Sequence, residues 1–372
     1  MNQTQDFTKG VIWKQLLFFF FPILIGSFFQ QLYNTVDTII VGQAVGTSAL
    51  AAVGSTGNLT NLIVNFYVGL STGASVVIAQ YYGAQNNKKI HQAVHTSYSL
   101  AIVSGILMML FGLFFSYQCL DAIGTPHDIL NDATLYMQLY FLCMIPGAIY
   151  NIGAGILRAV GDSKRPLYYL IVCSIVNVVF DFIFVVIFHQ GIAGAAIATV
   201  IAQSVCAILV TIQLMRTNEV YKLTLSKMKF HLPVLKKIIM IGAPAGIQST
   251  MYSISNIVLQ SHINAFGTQT IASWSVYVKI DALFWMMIEA IGAAITTFSG
   301  QNYGAHLHDR IKKGTRTALA MAFVMTISIS TILCLTGSYI TRLFSSDPHI
   351  IEECYSLMLF LMPFYFLYCC VE

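Results

Sequence analysis

The sequence predicts an all-α polytopic membrane protein made of two six-helix lobes. The chain of 372 residues is 57% hydrophobic and only 9% charged, whereas soluble domains carry about 25% charged residues. Apolar stretches of about 20 residues, long enough to cross a hydrocarbon core about 30 Å thick, recur along the chain. Motifs from the first half also return in the second half, which indicates a parallel internal repeat.

Membrane-spanning helices are predicted at ten positions. Glycine, proline and helix-capping residues separate several of them, as in GTPHD after the third span and GDSKRP after the fourth. The first apolar run continues past Asp37 without a small-residue cleavage site, so we interpret it as a span and not as a signal peptide. The ten predicted spans lie at about 13–41, 53–80, 93–116, 132–157, 166–188, 192–215, 238–262, 269–299, 315–338 and 350–371.

The basic residues predict the orientation of the chain. With the N-terminus in the cytoplasm, all of the 19 Lys and Arg residues except Lys279 and Arg342 fall in cytoplasmic segments. The positive-inside rule therefore favours a multi-pass protein of the cytoplasmic (cell) membrane with a cytoplasmic N-terminus.

Two pairs of motifs define the internal repeat. QYYGA at 80–84 returns as QNYGA at 301–305, and VGTSALA at 45–51 returns as FGTQTIA at 266–272, at the same offset. The repeat unit then contains six helices, and an even number gives both copies the same orientation in the membrane.

The repeat predicts how the chain is divided. We expect an N-lobe at 1–220 with helices 1–6, a cytoplasmic interlobe loop at 221–237, and a C-lobe at 238–372 with helices 7–10. Helices 7–10 match helices 1–4, whereas the second-half counterparts of helices 5 and 6, which would be helices 11 and 12, are missing after Glu372. We therefore expect a truncated second lobe, with about ten helices present of twelve; a natural ten-helix protein is the alternative.

Polar residues form stripes on several predicted spans, and two stripes end in an acid. A carboxylate at the bilayer centre costs about 3 kcal/mol, so such a residue usually faces a bundle interior or a wet cavity. For the uncharged members, hydrogen bonding between helices is an alternative role. The stripes comprise Gln30, Asn34 and Asp37 on span 1; Asn58, Asn61 and Asn65 on span 2; Ser174, Asn177 and Asp181 on span 5; and Thr199 and Gln203 on span 6.

The two acids lie at a similar depth. Asp37 and Asp181 each precede the outer end of a span that runs outward, and Thr199 follows the outer start of span 6 by a similar distance. The pattern predicts one cation site in the outer half of the N-lobe, able to take up H⁺ or Na⁺ from outside.

The second half offers a rival site. Asp281, Trp285 and Glu289 share one face of span 8, and Lys279 is close in sequence. An ion pair between Lys279 and Asp281 is the expected structural role, and Glu289 is a second-tier site residue.

Other chemistry is not indicated. The sequence has no nucleophile elbow, phosphate-binding loop or HExxH motif, and we expect neither an enzyme nor a metal or cofactor. The eight cysteines lie mostly within spans and are interpreted as packing residues.

A combination of motifs resembles the prokaryotic MATE (multidrug and toxic compound extrusion) family. They are PILIGSFFQQLYNTVDTIIVG, the QYYGA and QNYGA pair, GILRAVGDSKRP, NVVFDFIF and GIAGAAIATVIAQ, in order along the chain. The resemblance implies twelve helices around a central cleft and export of cationic or amphipathic compounds by H⁺ or Na⁺ antiport. The residue roles that it implies are a cation site at Asp37, Asn177, Asp181 and Thr199, an N-lobe cavity lined by Gln30, Asn34, Tyr136 and Asn151, and a C-lobe acid at Glu289.

Alternatives remain open at the level of sequence. They are a flippase for lipid-linked precursors, which would need several basic residues along the cleft; an intramembrane lipid-modifying enzyme using Asp37; and a transport-inactive sensor or scaffold. The expected partners are small-molecule drugs or metabolites and the lipid bilayer, without nucleic acid, and the expected state is a monomer. The sequence names neither the substrate nor the coupling ion.

Overall fold

The computed structural model describes residues 4–344 and 347–371, and within those ranges it contains helices and connections but no strand. The predicted all-α fold class is therefore confirmed. The α-helices are α1 (Ile12–Ala44), α2 (Thr47–Gly83), α3 (Asn87–Ala122), α4 (His127–Phe141), α5 (Met144–Ala159), α6 (Lys164–Asp181), α7 (Gly191–Arg216), α8 (Leu232–Asn264), α9 (Thr268–Gly304), α10 (His308–Thr341), α11 (Pro348–Leu361) and α12 (Tyr365–Val371).

Each predicted span coincides with a helix or with an interrupted helix. Span four is the pair α4 and α5, which is bent by 44°. Span five is α6 followed by a π-helical segment, Phe182–Ile187. Span ten is α11 and α12 joined by a 3₁₀ turn, Met362–Phe364, where Pro363 cannot donate a backbone hydrogen bond.

Most of these helices can cross a membrane. Within the described residues, seven are long and apolar enough, or eight if the bent pair α4 and α5 counts as one span. α8 and α9 are not among them, although they have 33 and 37 residues. The chain is thus a multi-pass membrane protein.

The backbone repeats along with the sequence. Gly46 before α2 and Gly267 before α9 occupy equivalent motif positions, and both have positive φ, of 112° and 98°. Gln85 after α2 and His306 after α9 also match, with φ of 52° and 58°. Since left-handed backbone is uncommon outside glycine, two matched pairs show that the turns around α2 and α9 fold alike.

We call α1–α7 the N-terminal half and α8–α12 the C-terminal half. We call the end of the bundle that carries the α2–α3, α5–α6, α7–α8 and α9–α10 connections the basic end. Most of the Lys and Arg residues lie there. The largest apolar core lies in the N-terminal half, where α5 packs against α2, α3 and α7.

Small residues bring the halves together. α2 packs along α8, where a Cβ added to Gly69 would lie 2.2 Å from the Gly246 nitrogen, and one on Gly73 would lie 2.5 Å from the Gly242 nitrogen. Such close backbone contact is typical of small-residue packing between membrane helices. α2 and α8 therefore cross without intervening side chains.

A reciprocal contact joins the halves at the basic end. A Cβ on Gly83 would lie 1.8 Å from the Gln301 carbonyl oxygen, and one on Gly304 would lie 1.8 Å from the Gln80 carbonyl oxygen. These are equivalent positions of the QYYGA and QNYGA repeat. Towards the opposite end, a Cβ on Gly54 or Gly57 of α2 would meet nothing within 4 Å in the part of the chain that the structure describes. α2 thus packs backbone against backbone at the basic end and leaves space beside Gly54 and Gly57 towards the other end.

Candidate cation and substrate site

The structure brings Asp37 and Asp181 together inside the N-terminal half. Asp37 lies on α1 and Asp181 is the last residue of α6, and α1 packs against α6. The two carboxylates are close enough to interact electrostatically. Neither lies in an ion pair within 4 Å among the described residues, so the bundle holds two acids side by side.

Both acids carry buried oxygens that accept no hydrogen bond. The Asp181 side chain has no exposed surface. Among the described residues, both of its carboxylate oxygens and Oδ1 of Asp37 have no hydrogen-bond partner. Buried polar atoms are nearly always paired, so this set requires an explanation. Binding of H⁺ or of a cation would satisfy it.

Asn177 and Thr199 complete the polar group. Asn177 is one turn before Asp181, has no exposed surface, and its Nδ2 donates to Thr199 Oγ1 at 3.5 Å. The Thr199 hydroxyl donates to the Ala195 carbonyl at 3.1 Å, and Oδ1 of Asn177 is a further buried acceptor without a partner among the described residues. Oxygen atoms from α1, α6 and α7 therefore meet in one place.

The α-helix of span five changes to a π-helix directly after Asp181. The π-helical segment is Phe182–Ile187. π-helical segments are rare and occur often at functional sites. The local sequence gives no warning of this change, which sequence analysis missed.

Aromatic residues of α4 border the acids. Tyr136 is 7% exposed and lies within electrostatic reach of both carboxylates. Its ring stacks on that of Tyr140 at 6.2 Å, and Tyr140 is also within reach of Asp37. The resemblance to the MATE family implied a cavity role for Tyr136 but not for Tyr140, which the four-residue spacing on one helix face could have suggested.

An apolar cluster covers the acids on the side away from the basic end. One member is Tyr136 of α4. The others come from α1 after Asp37, from the π-helix after Asp181, and from the part of α7 before Thr199. These residues are Val41, Val185, Ile192, Ala195 and Ala196. The cluster thus packs α1, α4, α7 and the π-helix together beyond the acids.

The other predicted cavity residues are not gathered at the acids. Gln30 and Asn34 are exposed on α1. Asn151 donates from Nδ2 to the Gly147 carbonyl at 2.9 Å, and its own carbonyl accepts from Ser71 at 2.8 Å, so it is engaged within the N-terminal half.

The span 2 stripe has a different role from the acids. Asn65 donates to Ser253 on α8 at 3.0 Å and so joins the halves, while the side chain of Asn58 lies outside the described residues. For Asn65, the structure supports hydrogen bonding between helices.

In the C-terminal half, the expected pairing of Lys279 with Asp281 is wrong. Asp281 accepts from Trp285 Nε1 at 2.6 Å and from the Tyr365 hydroxyl. Residues two apart on a helix point to different sides, whereas residues four apart share a face. Trp285 therefore reaches the carboxylate and Lys279 does not.

The surroundings of Asp281 are aromatic. Tyr365 hydrogen-bonds to Tyr277, and its ring packs against Phe284 at 4.3 Å. Because Tyr365 lies on α12 and the others on α9, sequence spacing could not identify it. The set forms a second polar group, separate from Asp37 and Asp181.

Glu289 is exposed on the same helix face as Asp281. It interacts electrostatically with Arg158 at the end of α5. This electrostatic interaction links the two halves.

The fold, with seven helices long and apolar enough to cross a membrane among the described residues, is that of a multi-pass membrane protein. The MatE family model matches residues 22–183 and 244–372. The chain belongs to the MatE family.

Curated relatives of this chain are multidrug resistance or multidrug export proteins. The probable multidrug resistance protein YoeA of Bacillus subtilis is 26% identical over 374 residues, covering 98% of this chain and 80% of that protein. The multidrug export protein MepA of Staphylococcus aureus (strain NCTC 8325 / PS 47) is 22% identical over 356 residues, covering 94% of this chain and 78% of MepA. The chain thus spans about four fifths of the length of these relatives.

Solved structures show the same fold. The outward-facing conformation of a multidrug resistance MATE family transporter superposes with a TM-score of 0.92 at 25% identity, covering 99% of this chain and 82% of the other. A MATE in the bent conformation gives a TM-score of 0.91, also at 25% identity, covering 99% of this chain and 82% of the other. Family, relatives and structures together support multidrug efflux transport.

Proposed function

We propose that the chain is a secondary active multidrug efflux antiporter that exports cationic or amphipathic small molecules in exchange for H⁺ or Na⁺. The observation that carries the proposal is a pair of interacting carboxylates, the buried Asp181 and the half-buried Asp37, whose buried oxygens have no hydrogen-bond partner among the described residues. Asn177 lies one helical turn from Asp181 and donates to Thr199. Ionisable groups inside membrane segments mark ion and substrate pathways when they are not neutralised by a partner.

The proposed orientation places the basic end in the cytoplasm, as the positive-inside rule favours. The chain would lie in the cell membrane as a monomer, with its cytoplasmic end closed by the reciprocal contact of Gly83 and Gly304. The opposite end, where Gly54 and Gly57 of α2 have open space, would face outward. This agrees with its similarity to a transporter in the outward-facing conformation.

Coupling would follow from the cost of buried charge. In the absence of a cation, two neighbouring carboxylates repel each other in a poorly solvated site, and their buried oxygens have no donors. Uptake of H⁺ or Na⁺ would remove that repulsion and allow α1 and α6 to pack more closely. Since Asp181 lies at the junction of α6 with the π-helix, a local rearrangement of α6 would require few ordinary helical hydrogen bonds to break.

Closer packing of α1 would change the cavity that it lines. Gln30 and Asn34 are exposed on the same helix as Asp37, so a shift of α1 would move both. Cation uptake from outside would therefore release a bound substrate outward, which is the exchange expected of alternating access.

Efflux of ethidium from cells tests the proposal. Asp37→Asn and Asp181→Asn keep the side-chain size but remove the charge, and Asp309→Asn, at an exposed position of α10, is the matched control. We expect both intramembrane variants to lose efflux and the control to keep it. Undiminished efflux in both would refute the role given to the acids.

The same assay can identify the ion. Efflux measured across a series of Na⁺ concentrations at fixed pH should rise with Na⁺ if Na⁺ is the coupling ion. It should stay constant if H⁺ is used.

A further inference from the structure

The segment before α1 lies across the basic end and contacts both halves. We call residues 5–10 the strap. The backbone N–H of Gln5 donates to the Gly161 carbonyl at 3.0 Å, in the α5–α6 connection of the N-terminal half. Two residues later, the backbone N–H of Phe7 donates to Gln301 Oε1 on α9 at 3.1 Å. The strap therefore passes from one half to the other within three residues.

Phe7 anchors the strap in an apolar site. Its side chain has no exposed surface. The ring packs edge-on against Phe19 of α1 at 5.2 Å and Phe298 of α9 at 5.8 Å. Removing a phenylalanine side chain completely from water is strongly favourable, so this is a specific attachment and not a loosely resting end.

The side chain of Arg310 on α10 binds backbone carbonyl groups of the strap. Its Nε donates to the Phe7 carbonyl at 2.9 Å, and its Nη2 lies within 3.0 Å of the Lys9 carbonyl and 2.9 Å of the Gly10 carbonyl. The same nitrogen lies 2.9 Å from Gln15 Oε1 of α1. The planar fork of arginine suits such multiple contacts, whereas a lysine ammonium cannot reproduce them.

Two neighbouring amides complete the attachment. Asn302 donates from Nδ2 to the Phe7 carbonyl at 3.1 Å. Gln301 accepts from Phe7 and donates from Nε2 to the Ala159 carbonyl of α5 at 2.8 Å. One side chain of the C-terminal half thus binds both the strap and the end of α5.

These contacts would have to break if the halves separated at the basic end. Phe7, Gly161 and Ala159 belong to the N-terminal half or its leading segment, while Gln301, Asn302 and Arg310 belong to the C-terminal half. Most of the strap's hydrogen bonds therefore cross the plane along which the basic end would open.

We propose that the strap is a latch that holds the basic end closed, with Arg310 as its main attachment. The basic end then opens only when the strap is released. The proposal rests on the proposed function only in taking opening of the basic end as a step of transport. Breaking the latch shifts the equilibrium towards the open arrangement, because only the closed state makes these bonds.

Spin-label distances across the basic end test the latch. Lys88 at the start of α3 and Lys312 at the start of α10 are both exposed. Each is replaced by Cys and labelled, in the purified chain in lipid nanodiscs, after the exposed Cys370 is replaced by Ser. We expect Arg310→Ala to raise the population of long distances at least tenfold, and Arg310→Lys to give a smaller rise.

Two further variants separate the latch from other effects. Arg316→Ala removes the same charge from an exposed position of the same helix and should leave the distances unchanged. Phe7→Ala weakens the anchor without altering α10 and should shift the distances in the same direction as Arg310→Ala.

The outcomes are distinct from those of the efflux assay. The latch proposal would be overturned if Arg310→Ala and Phe7→Ala both left the distances unchanged while thermal unfolding showed that both variants are folded. An equal shift in Arg316→Ala would overturn it too, since it would show a simple charge effect. Neither result depends on Asp37 or Asp181, so the latch and the coupling mechanism can fail separately.

Discussion

Replacing Gly83 by alanine should force the two halves apart at the basic end. Gly83 of α2 faces the backbone of α9 so closely that an added Cβ would lie 1.8 Å from the Gln301 carbonyl oxygen. The obstacle is backbone, which cannot rotate away as a side chain could. The two helices must therefore separate.

The size of the effect follows from this distance. Ordinary van der Waals contact of a Cβ begins near 3.4 Å, so the carbonyl must retreat by about 1.6 Å along the line of contact. Overpacking of this kind costs typically about 1–3 kcal/mol. If the added methyl group destabilises only the closed arrangement, by about 2 kcal/mol, the ratio of open to closed molecules rises about thirtyfold.

The labels at Lys88 and Lys312 measure this shift directly. Gly54→Ala is the matched control, because a Cβ at that position of the same helix meets no atom of the described residues within 4 Å. We expect Gly83→Ala to increase the long-distance population strongly and Gly54→Ala to leave it unchanged. Gly304→Ala, the equivalent change on α9, should act like Gly83→Ala.

A specific result would refute this reasoning. If folded Gly83→Ala protein gave the same distance distribution as the unaltered chain, the α2–α9 crossing would not set the separation of the halves. If Gly304→Ala acted while Gly83→Ala did not, the reciprocal contact would not be equivalent on its two sides.

Two further predictions concern the connections at the basic end. Asp162 has no exposed surface, accepts from the backbone N–H groups of Lys164 and Arg165 at 3.1 Å, and pairs with the Arg165 guanidinium at 3.2 Å. Asp162→Ala should therefore lower the free energy of unfolding by about 1–3 kcal/mol, measured by thermal unfolding, and Asp162→Asn should lower it less. A larger loss in Asp162→Asn than in Asp162→Ala would be evidence against a capping role. His231 ends the α7–α8 connection, and burial together with nearby Lys229 and His95 lowers its pKa below 6.5. His231 therefore binds a proton less readily in the folded protein than in the unfolded chain. The free energy of unfolding is not reduced by this group above pH 6.5, and it decreases as the pH falls below that value. His231→Gln should reduce the pH dependence of the melting temperature while the exposed His349→Gln should not, and equal pH dependence in all three proteins would exclude the His231 contribution.

Much of the fold could be predicted from local pattern. Apolar runs, Gly and Pro positions and the repeated QYYGA motif locate the spans, because each depends on residues close in sequence. The spacing of Asn177 and Asp181 likewise puts both on one helix face, as the structure shows. The interruption of span five after Asp181 has no comparable signal, since it depends on how α6 packs against α1 and α7.

Contacts between distant segments could not be predicted in this way. Phe7 and Arg310 are almost at opposite ends of the chain, and nothing near either residue indicates that they meet. Tyr365 reaches Asp281 from another helix, whereas closeness in sequence favoured Lys279 as its partner. These interactions arise only from packing of the two halves, for which sequence periodicity carries no information.

The most direct test of the central claim is ion exchange by purified protein in liposomes. An outward gradient of ethidium should drive uptake of H⁺ or Na⁺ in the unaltered chain and in the Asp309→Asn control. Asp37→Asn and Asp181→Asn should abolish this ion movement, because the paired carboxylates are the proposed carriers of the cation. Ion uptake at the unaltered rate in both variants would contradict the claim that Asp37 and Asp181 couple cation entry to substrate export.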